Sequence, residues 1–432
     1  MPLETSAFPA KRIAVIGAGI SGLGAAHMLA KDHKVVVFEA EDRVGGHART
    51  KMAGPNRDVA VDTGFIVFNY ANYPYLTALF DELDVPVAKS DMSFGASIDG
   101  GRIEYGLASL RALFAQKRNW ANPMFLRMVS DILYFNKHAE RVAQDKTITV
   151  GELLQQLGTG KWFRDYYLLP FSGAIWSTPK NKIMDFPAHA MVQFFKNHAL
   201  LNTTGQHQWY TVQGGSIEYV RRLEASLRGR GVEFRLSADV QSVTRSLTGA
   251  QVKTVGAPVE EFDEVIMATH SDQALALLGD ASPQEASALR DIRYQPNDVV
   301  LHSDEAIMPK RRGVWSSWMY TESPAKRDDT IDLTYWMNSL QPVASPDNYF
   351  VTLNSTRPIQ DALIWDTVTL HHPVYDTAMM AAQERVKAFN GTNRTWFCGA
   401  WMKNGFHEDG LSSAVDVVEA IRPQYSLSVA AE

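Results

Sequence analysis

The pattern of apolar and polar residues at the start of the chain predicts a strand, a helix and a second strand. Residues 12–16 (RIAVI) and 34–38 (KVVVF) are short β-branched runs, typical of strands that are buried on both faces of a sheet. Between them, residues 23–30 (LGAAHMLA) consist mostly of helix-forming residues. A strand, a helix and a strand in this order predict a βαβ unit, and therefore an α/β fold with parallel strands.

Glycines mark the turn between this first strand and the helix. Their spacing is G-x-G-x-x-G, at Gly17, Gly19 and Gly22. The first permits a tight turn, the second lets the backbone approach a pyrophosphate, and the third lets helix and strand pack closely. The helix begins near Ile20 and Ser21, where unpaired N–H groups would face phosphate oxygens. Glu39 ends the second strand and can accept hydrogen bonds from ribose hydroxyls, so these features together predict a dinucleotide site.

A second glycine pair, Gly45-Gly46, follows within the segment 39–50 (EAEDRVGGHART). An NAD site does not need a second close approach of the backbone. A dinucleotide with a longer ribityl-pyrophosphate region does need one, and FAD is such a cofactor. The second pair therefore favours FAD.

This opening resembles the FAD-binding segment of the flavin amine oxidase superfamily. Later segments match the same plan, at residues 61–85, 207–223, 231–245 and 261–274. The resemblance places Gly64 and Phe65 beside the flavin ring and the backbone of Val240 against the adenine. It assigns further cofactor contacts to Ala40, Arg43, Gly45, Gly46 and His47. The chain departs from the family pattern at His47, where many members carry Arg.

The C-terminal segment 395–421 carries the most specific part of the resemblance. It contains a strand (WFCGA), a loop, and a helix expected to begin around Gly410. In the superfamily the N-terminus of this helix lies under the flavin, and its dipole favours the negative charge of the reduced ring. The implied contacts are Gly399, Asp409, Gly410 and Leu411. Cys398 is expected to be a small strand residue, so the FAD would be bound without a covalent link.

The resemblance also implies the domain organisation. A discontinuous, Rossmann-like FAD-binding domain of the amine oxidase type would comprise residues 1–68, 208–272 and 390–425. An interleaved α+β substrate domain would comprise residues 69–207 and 273–389, followed by a tail at 426–432. Aromatic residues are frequent in the substrate segments and would suit an apolar channel wall. The candidates are Phe68, Tyr70, Trp176, Trp318 and Trp336, with packing in the core as the alternative for part of them.

The segment 107–143 is predicted to form two helices with a break near NWANP. Its apolar residues at helical spacing include Leu107, Leu110, Leu113 and Phe114. Lys117, Arg118 and Trp120 follow directly, and a basic segment that carries a tryptophan is typical of a helix at a membrane surface. An ordinary helix that packs on its own domain is the other interpretation, and both stay open.

Composition and charge exclude several classes of protein. The chain has 432 residues, of which 45% are hydrophobic, and its net charge of −6 gives no indication of nucleic-acid binding. Cys398 is the only cysteine, which excludes an intrachain disulfide and a metal site built from cysteines. No run approaches the roughly 20 apolar residues that span a bilayer. We therefore expect a cytoplasmic protein that meets the membrane, if at all, at its inner face.

The adjacent histidines His371 and His372 are the strongest candidates for catalysis. Neighbouring residues on a strand point to opposite sides, so the two cannot chelate one metal ion together, and we expect no metal. In the superfamily an aromatic residue that faces the flavin precedes the C-terminal flavin loop, and these histidines occupy that place. One of them could remove a proton while a hydride leaves the neighbouring carbon. His407 and Lys403 are alternative candidates.

Within the superfamily the chain is most similar to bacterial flavoproteins that act on acyl chains of membrane lipids. DTGFIVFN at 62–69 and HHPV at 371–374 match segments typical of that group. The group includes enzymes that desaturate methyl-branched unsaturated fatty acids in furan fatty acid formation. The resemblance therefore implies an FAD-dependent fatty acyl desaturase with a lipid or fatty acyl substrate. A double-bond isomerase, an amine oxidase and a lipid-binding flavoprotein without turnover are the alternatives.

Overall fold

The computed structural model describes residues 10–176, 180–202, 205–246, 248–323 and 332–421. The predicted tail at 426–432 lies outside the described residues. The strands are β1 Arg12–Ile16, β2 Lys34–Phe38, β3 Thr50–Ala53, β4 Val59–Asp62, β5 Val67–Phe68, β6 Val87–Ser90, β7 Phe94–Ile98, β8 Ile103–Gly106, β9 Trp209–Val212, β10 Glu233–Arg235, β11 Val240–Arg245, β12 Ala250–Thr254, β13 Glu260–Phe262, β14 Glu264–Met267, β15 Tyr294–His302, β16 Trp318–Thr321, β17 Leu333–Trp336, β18 Phe350–Leu353, β19 Ile364–Pro373 and β20 Thr395–Phe397. The α-helices are α1 Ile20–Leu29, α2 Pro74–Glu82, α3 Leu110–Leu113, α4 Pro123–Val142, α5 Val150–Leu157, α6 Lys161–Phe163, α7 Leu169–Trp176, α8 Lys180–Ile183, α9 Ala188–Asn197, α10 Ile217–Gly229, α11 Ser271–Leu277, α12 Pro283–Asp291, α13 Met337–Leu340, α14 Thr377–Phe389 and α15 His407–Ile421.

A five-stranded parallel sheet in the order β10-β2-β1-β14-β20 forms the base of the molecule. Alternate residues of β1 face opposite sides: Ile13 and Val15 pack in one hydrophobic cluster, Ala14 and Ile16 in another. Both faces are therefore covered, which is why β1 and β2 need β-branched residues at consecutive positions. The predicted α/β fold class is confirmed, since parallel strands alternate with helices in this sheet.

A seven-stranded mixed sheet in the order β19-β15-β18-β17-β16-β7-β8 forms the second layer. The pairing of β16 with β7 is parallel, and the other pairings are antiparallel. The edge strand β19 ends in the segment His371–Pro373, where it pairs with the start of β15. The division of the chain into an FAD-binding and a substrate domain stays a prediction.

The segment 107–143 contains α3, a short 3-10 helix at Lys117–Ala121, and α4. The predicted break is confirmed: Asn122 caps α4 by accepting from the amides of Met124 and Phe125. The prediction that the apolar residues before this break lie on one helical face is wrong. Leu110 is 75% exposed while Leu113 is buried, because α3 has only four residues and cannot present a continuous face.

One further element differs from the sequence prediction. The C-terminal helix α15 begins at His407, earlier than the predicted start around Gly410. Hydrogen bonds from the amides of Phe406 and Gly410 hold this first turn: Phe406 donates to Asp409, and Gly410 donates to the carbonyl of Phe406. Among the described residues, no helix has the length and apolar character needed to cross a bilayer.

Candidate functional site

The turn after β1 brings the backbone of three glycines to the first turn of α1. A Cβ on Gly22 would lie 1.9 Å from the carbonyl oxygen of Gly17, and Gly17 itself has a φ of +102°. Both positions therefore require glycine. Gly19 begins α1 without any side-chain cap, and a Cβ there would meet no atom within 4 Å. The unpaired amides of this turn thus face open space, which is the arrangement that binds an anionic phosphate.

The second glycine pair lies against the first turn. The amide of Gly45 donates to the carbonyl of Ala18 at 2.8 Å, and a Cβ on Gly46 would lie 3.1 Å from the Cα of Gly19. Arg43 braces this turn by donating to the carbonyls of Gly46 and Ala48. We call Gly17, Gly19, Gly22, Gly45 and Gly46 the glycine cradle.

Glu39 connects the end of β2 to this cradle. Its carboxylate accepts from the amide of Ala18 at 2.7 Å and from the amide of Glu41 at 2.9 Å. The amide of Ala238 donates to the carbonyl of Glu39, which brings the chain just before Val240 alongside β2. Glu39 and the segment before Val240 are thus adjacent, as an adenosine site requires, while Ala40 is exposed beside them. The contacts of each residue with the cofactor stay predictions.

The N-terminus of α15 packs directly against that of α1. A Cβ on Gly410 would lie 2.9 Å from Ile20 Cγ2 and 3.0 Å from Ser21 Oγ. Leu411 is buried against Gly24, where a Cβ would lie 2.4 Å from Leu411 Cδ1. Small residues on both helices therefore bring the two N-termini to the same side of the parallel sheet.

Two carboxyl groups in the first turn of α15 accept hydrogen bonds from amides; Glu408 is buried and Asp409 is half-buried. Glu408 accepts from the amides of Tyr75 and Leu76, both at 2.9 Å, and so caps α2. Asp409 accepts from the amide of Phe406. Burial raises the pKa of Glu408 to about 7 and that of Asp409 to about 6, because the charged form loses hydration. Gly399 precedes this loop, and its amide donates to Ser413.

These features fit FAD. The glycine cradle presents backbone amides that no side chain covers. Gly64 lets its segment approach the backbone of His47, since a Cβ on Gly64 would lie 2.0 Å from the carbonyl oxygen of His47. The hydroxyl of Tyr375 is buried without a hydrogen-bond partner in the described part of the chain, and can bond a polar ligand atom. Cys398 is fully buried, and burial raises the pKa of its thiol to about 12. An inert thiol favours the non-covalent binding predicted from the sequence.

Histidines from three segments meet beside the glycine cradle. The ring centroid of His47 lies 5.7 Å from that of His270 and 5.9 Å from that of His372. We call His47, His270 and His372 the histidine cluster; His371 directly precedes His372 on β19. Burial lowers the pKa of His47 and lowers the pKa of His270 and of His372 to about 3, so these rings are neutral near pH 7. No group of three or more His, Cys, Asp or Glu side chains that could hold a metal ion occurs among the described residues.

A chain of amides sets the tautomer of His372. The backbone N–H of Asp298 donates to Asn354 Oδ1 at 3.0 Å, which fixes the orientation of that amide. Asn354 Nδ2 donates to Asn297 Oδ1 at 2.8 Å, so Asn297 Nδ2 lies 2.9 Å from His372 Nδ1 as its donor. Since Nδ1 accepts, the neutral ring of His372 carries its proton on Nε2. His372 therefore donates from Nε2.

The other two catalytic candidates have different surroundings. His371 is exposed, and its ring makes no hydrogen bond within the described ranges. His407 Nε2 is 2.7 Å from the hydroxyl of Tyr219, and its ring stacks on Phe65 at 4.0 Å. Burial lowers the pKa of His407 to about 3. Lys403 forms an ion pair with Asp416.

The predicted substrate aromatics divide into buried and accessible rings. Phe68 and Trp176 are buried among other rings, where they serve the hydrophobic core. Tyr70 is 48% exposed. Trp318 and Trp336 are half-buried on neighbouring strands of the seven-stranded sheet. The accessible rings are the better candidates for a channel wall, and their contact with substrate stays a prediction.

Four polar residues of the site were missed from the sequence: Asp62, His270, Asn297 and Asn354. His270 follows β14 at the carboxyl end of a parallel strand, where ligands bind in α/β folds, so this signal was present in the chain. Asp62 accepts from Thr50, Ser216 and Gln341, and its burial raises the carboxyl pKa to about 6. Those partners are distant in sequence, and no local motif indicates them.

The sequence matches the profile of one protein family, and many solved structures share the fold of this chain. The profile of the family described as "Flavin containing amine oxidoreductase" matches residues 20–329. An L-amino-acid oxidase from Sistrurus catenatus edwardsii is 56% identical over 41 residues, which are 9% of this chain and 8% of the oxidase. The chain thus aligns with less than a tenth of this relative's length.

Solved structures with the same fold match nearly the whole chain, and two of them illustrate the range of relatives. A fatty acid isomerase from P. acnes that produces CLA has a TM-score of 0.67 at 15% identity, covering 96% of this chain and 100% of that one. Cyclohexylamine oxidase from Brevibacterium oxydans IH-35A has a TM-score of 0.67 at 14% identity, covering 96% and 100%. At this identity the likeness shows a shared fold.

Proposed function

The chain belongs to the family of flavin-containing amine oxidoreductases and is an FAD-dependent oxidoreductase, and from this premise we propose that it desaturates a long apolar acyl chain. The substrate is an unsaturated or methyl-branched fatty acyl group, carried on a phospholipid. The class of substrate follows from the sequence resemblance described above. The neutral, desolvated histidine cluster is the observation that carries the proposal.

The cluster offers no charge to a charged substrate. His47, His270 and His372 are neutral near pH 7, because burial lowers the pKa of each ring. The ionic groups nearby bind one another: within the described residues Arg49 pairs with Asp366 at 2.5 Å, and Arg43 pairs with Glu41 at 2.9 Å. A substrate ammonium or carboxylate would lose hydration here and would meet only uncharged imidazole groups in exchange. An uncharged hydrocarbon segment has no such cost.

We assign the proton-accepting step to His371. Removing a proton requires an imidazole lone pair, and the Nδ1 lone pair of His372 already accepts from Asn297. His407 is bonded to Tyr219 through Nε2. His371 keeps a free lone pair and is exposed, so it can take a proton from carbon and release it to water. His372 and His407 then hold the neutral surroundings in which the acyl chain lies.

The proposed reaction removes a hydride and a proton from two adjacent carbons of the acyl chain. FAD bound at the glycine cradle would supply the acceptor for a hydride from an allylic carbon, with oxygen or another compound as the final electron acceptor. His371 takes the proton from the adjacent carbon, and the two C–H bonds are replaced by one new C=C bond. The half-buried rings of Trp318 and Tyr335, which lie opposite each other on one face of the seven-stranded sheet, would exclude water from the reacting chain.

A double-bond isomerase is the second candidate, favoured by the full-length likeness to a fatty acid isomerase. In that reaction the hydride returns to another carbon, and no proton needs to leave the site. The exposed position of His371 favours net proton release, and hence desaturation. An amine oxidase is the third candidate, and it would have to bind a charged substrate against the neutral cluster.

Anaerobic mixing of the purified holoprotein with bacterial phospholipids tests these candidates. The lipids should be rich in methyl-branched and in plain monounsaturated chains, and both flavin absorbance and acyl mass should be followed. Flavin bleaching with loss of two hydrogens from the acyl chain supports the desaturase. An unchanged acyl mass with a moved double bond supports the isomerase. Absence of both, with bleaching by an amine, overturns the acyl substrate.

A further inference from the structure

The exposed large apolar side chains of the molecule are concentrated in one short part of the chain. Six of them lie between residues 110 and 134: Leu110 (75% exposed), Trp120 (61%), Met124 (45%), Leu126 (41%), Leu133 (52%) and Tyr134 (44%). We call these six residues the helical patch. The others in the described ranges are scattered over the surface, at Met52, Tyr70, Val255, Val259 and Met380. Single exposed apolar residues are normal, whereas a cluster indicates an interaction surface.

Helix α4 has two apolar faces, and only one of them belongs to the core. Phe125, Met128, Phe135 and Ala139 recur at helical spacing and are fully buried. Leu126 and Leu133 are seven residues apart, two helical turns, and therefore form a second stripe on the outward side. Nothing in the fold requires leucine at these outward positions.

Trp120 extends this stripe beyond the start of α4. Its indole stacks on Phe114 at 3.7 Å between centroids, and Phe114 in turn contacts the buried Phe125 at 5.9 Å. The ring is therefore held on the core while most of its surface faces outward. A rigidly placed, exposed tryptophan beside an apolar helical stripe suits the interface between lipid headgroups and acyl chains.

The charges around the helical patch are predominantly positive. Residues 107–143 contain six Lys or Arg and two Asp or Glu, in a chain whose net charge is −6. Both acids are already bound: Asp131 accepts from the amide of Gly160 and pairs with Arg127, and Glu140 pairs with Lys196. Among the described basic side chains of 107–143, only Arg127 forms an ion pair. The five others form none: Arg111, Lys117, Arg118, Lys137 and Arg141, of which Arg118 donates to the carbonyls of Gly101 and Arg102.

We propose that the helical patch docks the protein on the surface of an anionic lipid bilayer. The apolar stripe would enter the headgroup region, and the unpaired basic side chains would face lipid phosphates. A second copy of this chain is a poor occupant, because a symmetric interface would bring the same positive surface onto itself. The proposal concerns binding alone and does not depend on the reaction that the protein catalyses.

Vesicle flotation of the holoprotein tests the proposal without any measurement of activity. The probes are phosphatidylcholine vesicles and vesicles that also contain phosphatidylglycerol. The wild type should float with the anionic vesicles only, and less so at high salt, since screening weakens the attraction. A wild type that stays unbound with anionic vesicles at low salt would overturn the proposal.

Matched variants separate the helical patch from surface apolarity in general. Leu126→Gln with Leu133→Gln keeps helix propensity and should lower the partition coefficient at least tenfold, whereas Met380→Gln on the exposed side of α14 should leave it unchanged. Lys117→Glu with Lys137→Glu should lower binding about fivefold or more for each charge, and Lys253→Glu should not. Equal losses in the control variants would contradict a specific docking surface.

Sedimentation velocity tests whether a second copy of this chain, and not a bilayer, covers the helical patch. If the wild type were a dimer that Leu126→Gln with Leu133→Gln converts to a monomer, the helical patch would be a subunit interface and the proposal would be wrong. Unchanged oligomeric state together with lost flotation supports the bilayer. Circular dichroism and thermal unfolding should be the same for all variants, because each changed side chain is exposed.

Discussion

The glycine cradle and the histidine cluster lie side by side, yet they are specified in different ways. The cradle depends on the absence of side chains: Gly22 and Gly64 are in backbone contact with Gly17 and His47. The cluster depends on side chains that come from β19, from the segment between β2 and β3, and from the turn after β14. One of them, His372, is oriented by amides that are distant in sequence. A local constraint of backbone geometry is visible in a short stretch of sequence. A constraint that arises from packing between segments is not.

The largest expected effect comes from filling the cradle. Gly22→Ala would place a Cβ 1.9 Å from the carbonyl oxygen of Gly17, and the turn that presents the phosphate-binding amides would have to open. We expect less than about a tenth of the wild-type flavin content after purification, with a lower unfolding temperature. The ratio of absorbance at the flavin band to that of the protein measures this effect.

Gly229→Ala is the matched control. Gly229 lies in α10, and a Cβ there would meet no atom within 4 Å. Its flavin content should equal that of the wild type, and its stability should rise by roughly 0.5–1 kcal/mol from the gain in helix propensity. Full flavin content in Gly22→Ala would show that the cradle is not where the cofactor binds.

The second effect concerns the two adjacent histidines of β19, His371 and His372. His371→Ala should slow flavin reduction by an acyl substrate about 10²–10⁴-fold, the usual contribution of a general base, while flavin content stays unchanged. His372→Ala should have a smaller effect, because the ring of His372 donates from Nε2 and its other nitrogen is engaged by Asn297. Stopped-flow measurement of flavin bleaching gives both rates. A larger loss in His372→Ala than in His371→Ala would reverse the assignment.

The same contrast explains what could be predicted from the sequence. The βαβ unit, its glycines and Glu39 were predictable because each follows from local rules of turn geometry and strand burial. Asn297 and Asn354 were not, since their role appears only when β15 pairs with β19 on one side and with β18 on the other, and so places an amide beside His372. Helix boundaries at α3 and α15 were misplaced, because tertiary contacts rather than apolar spacing decide where these two helices begin.

Asn297→Asp tests the tautomer assignment. A carboxylate at this position would accept from His372 Nδ1, move the proton from Nε2 to Nδ1, and raise the pKa of the ring above its present value of about 3. The pH profile of flavin reduction should then gain an ionisation on its acid side, with the rate falling as His372 becomes charged. Asn297→Leu removes the hydrogen bond without adding a charge and should add no such ionisation. Superimposable profiles of Asn297→Asp and the wild type would contradict the assignment.

The smallest expected effect is on the pH dependence of stability. The folded-state pKa of Glu408 is raised to about 7, because burial disfavours its charge, so the folded protein binds this proton more tightly than the unfolded chain. The resulting stability is present below the ordinary carboxyl pKa and is lost as pH rises through 7. Glu408→Gln should therefore flatten the decline of the unfolding free energy between about pH 4.5 and 7, by up to about 1.4 kcal/mol per pH unit.

Glu408→Gln removes one carboxyl group with a raised pKa and leaves two other such groups in the protein. Asp62 and Asp409 also have raised pKa values of about 6, so part of the decline should remain in Glu408→Gln. The variant should lose about 1 kcal/mol at pH 5, since one amide oxygen cannot replace both acceptors of the amides of Tyr75 and Leu76. Denaturant unfolding at pH 5, 6, 7 and 8 gives both values. If the unfolding free energy of Glu408→Gln declined with pH as steeply as that of the wild type, Glu408 would be charged in the folded protein. The carboxylate that caps α2 would then be stabilised in its ionised form at the N-terminus of α15.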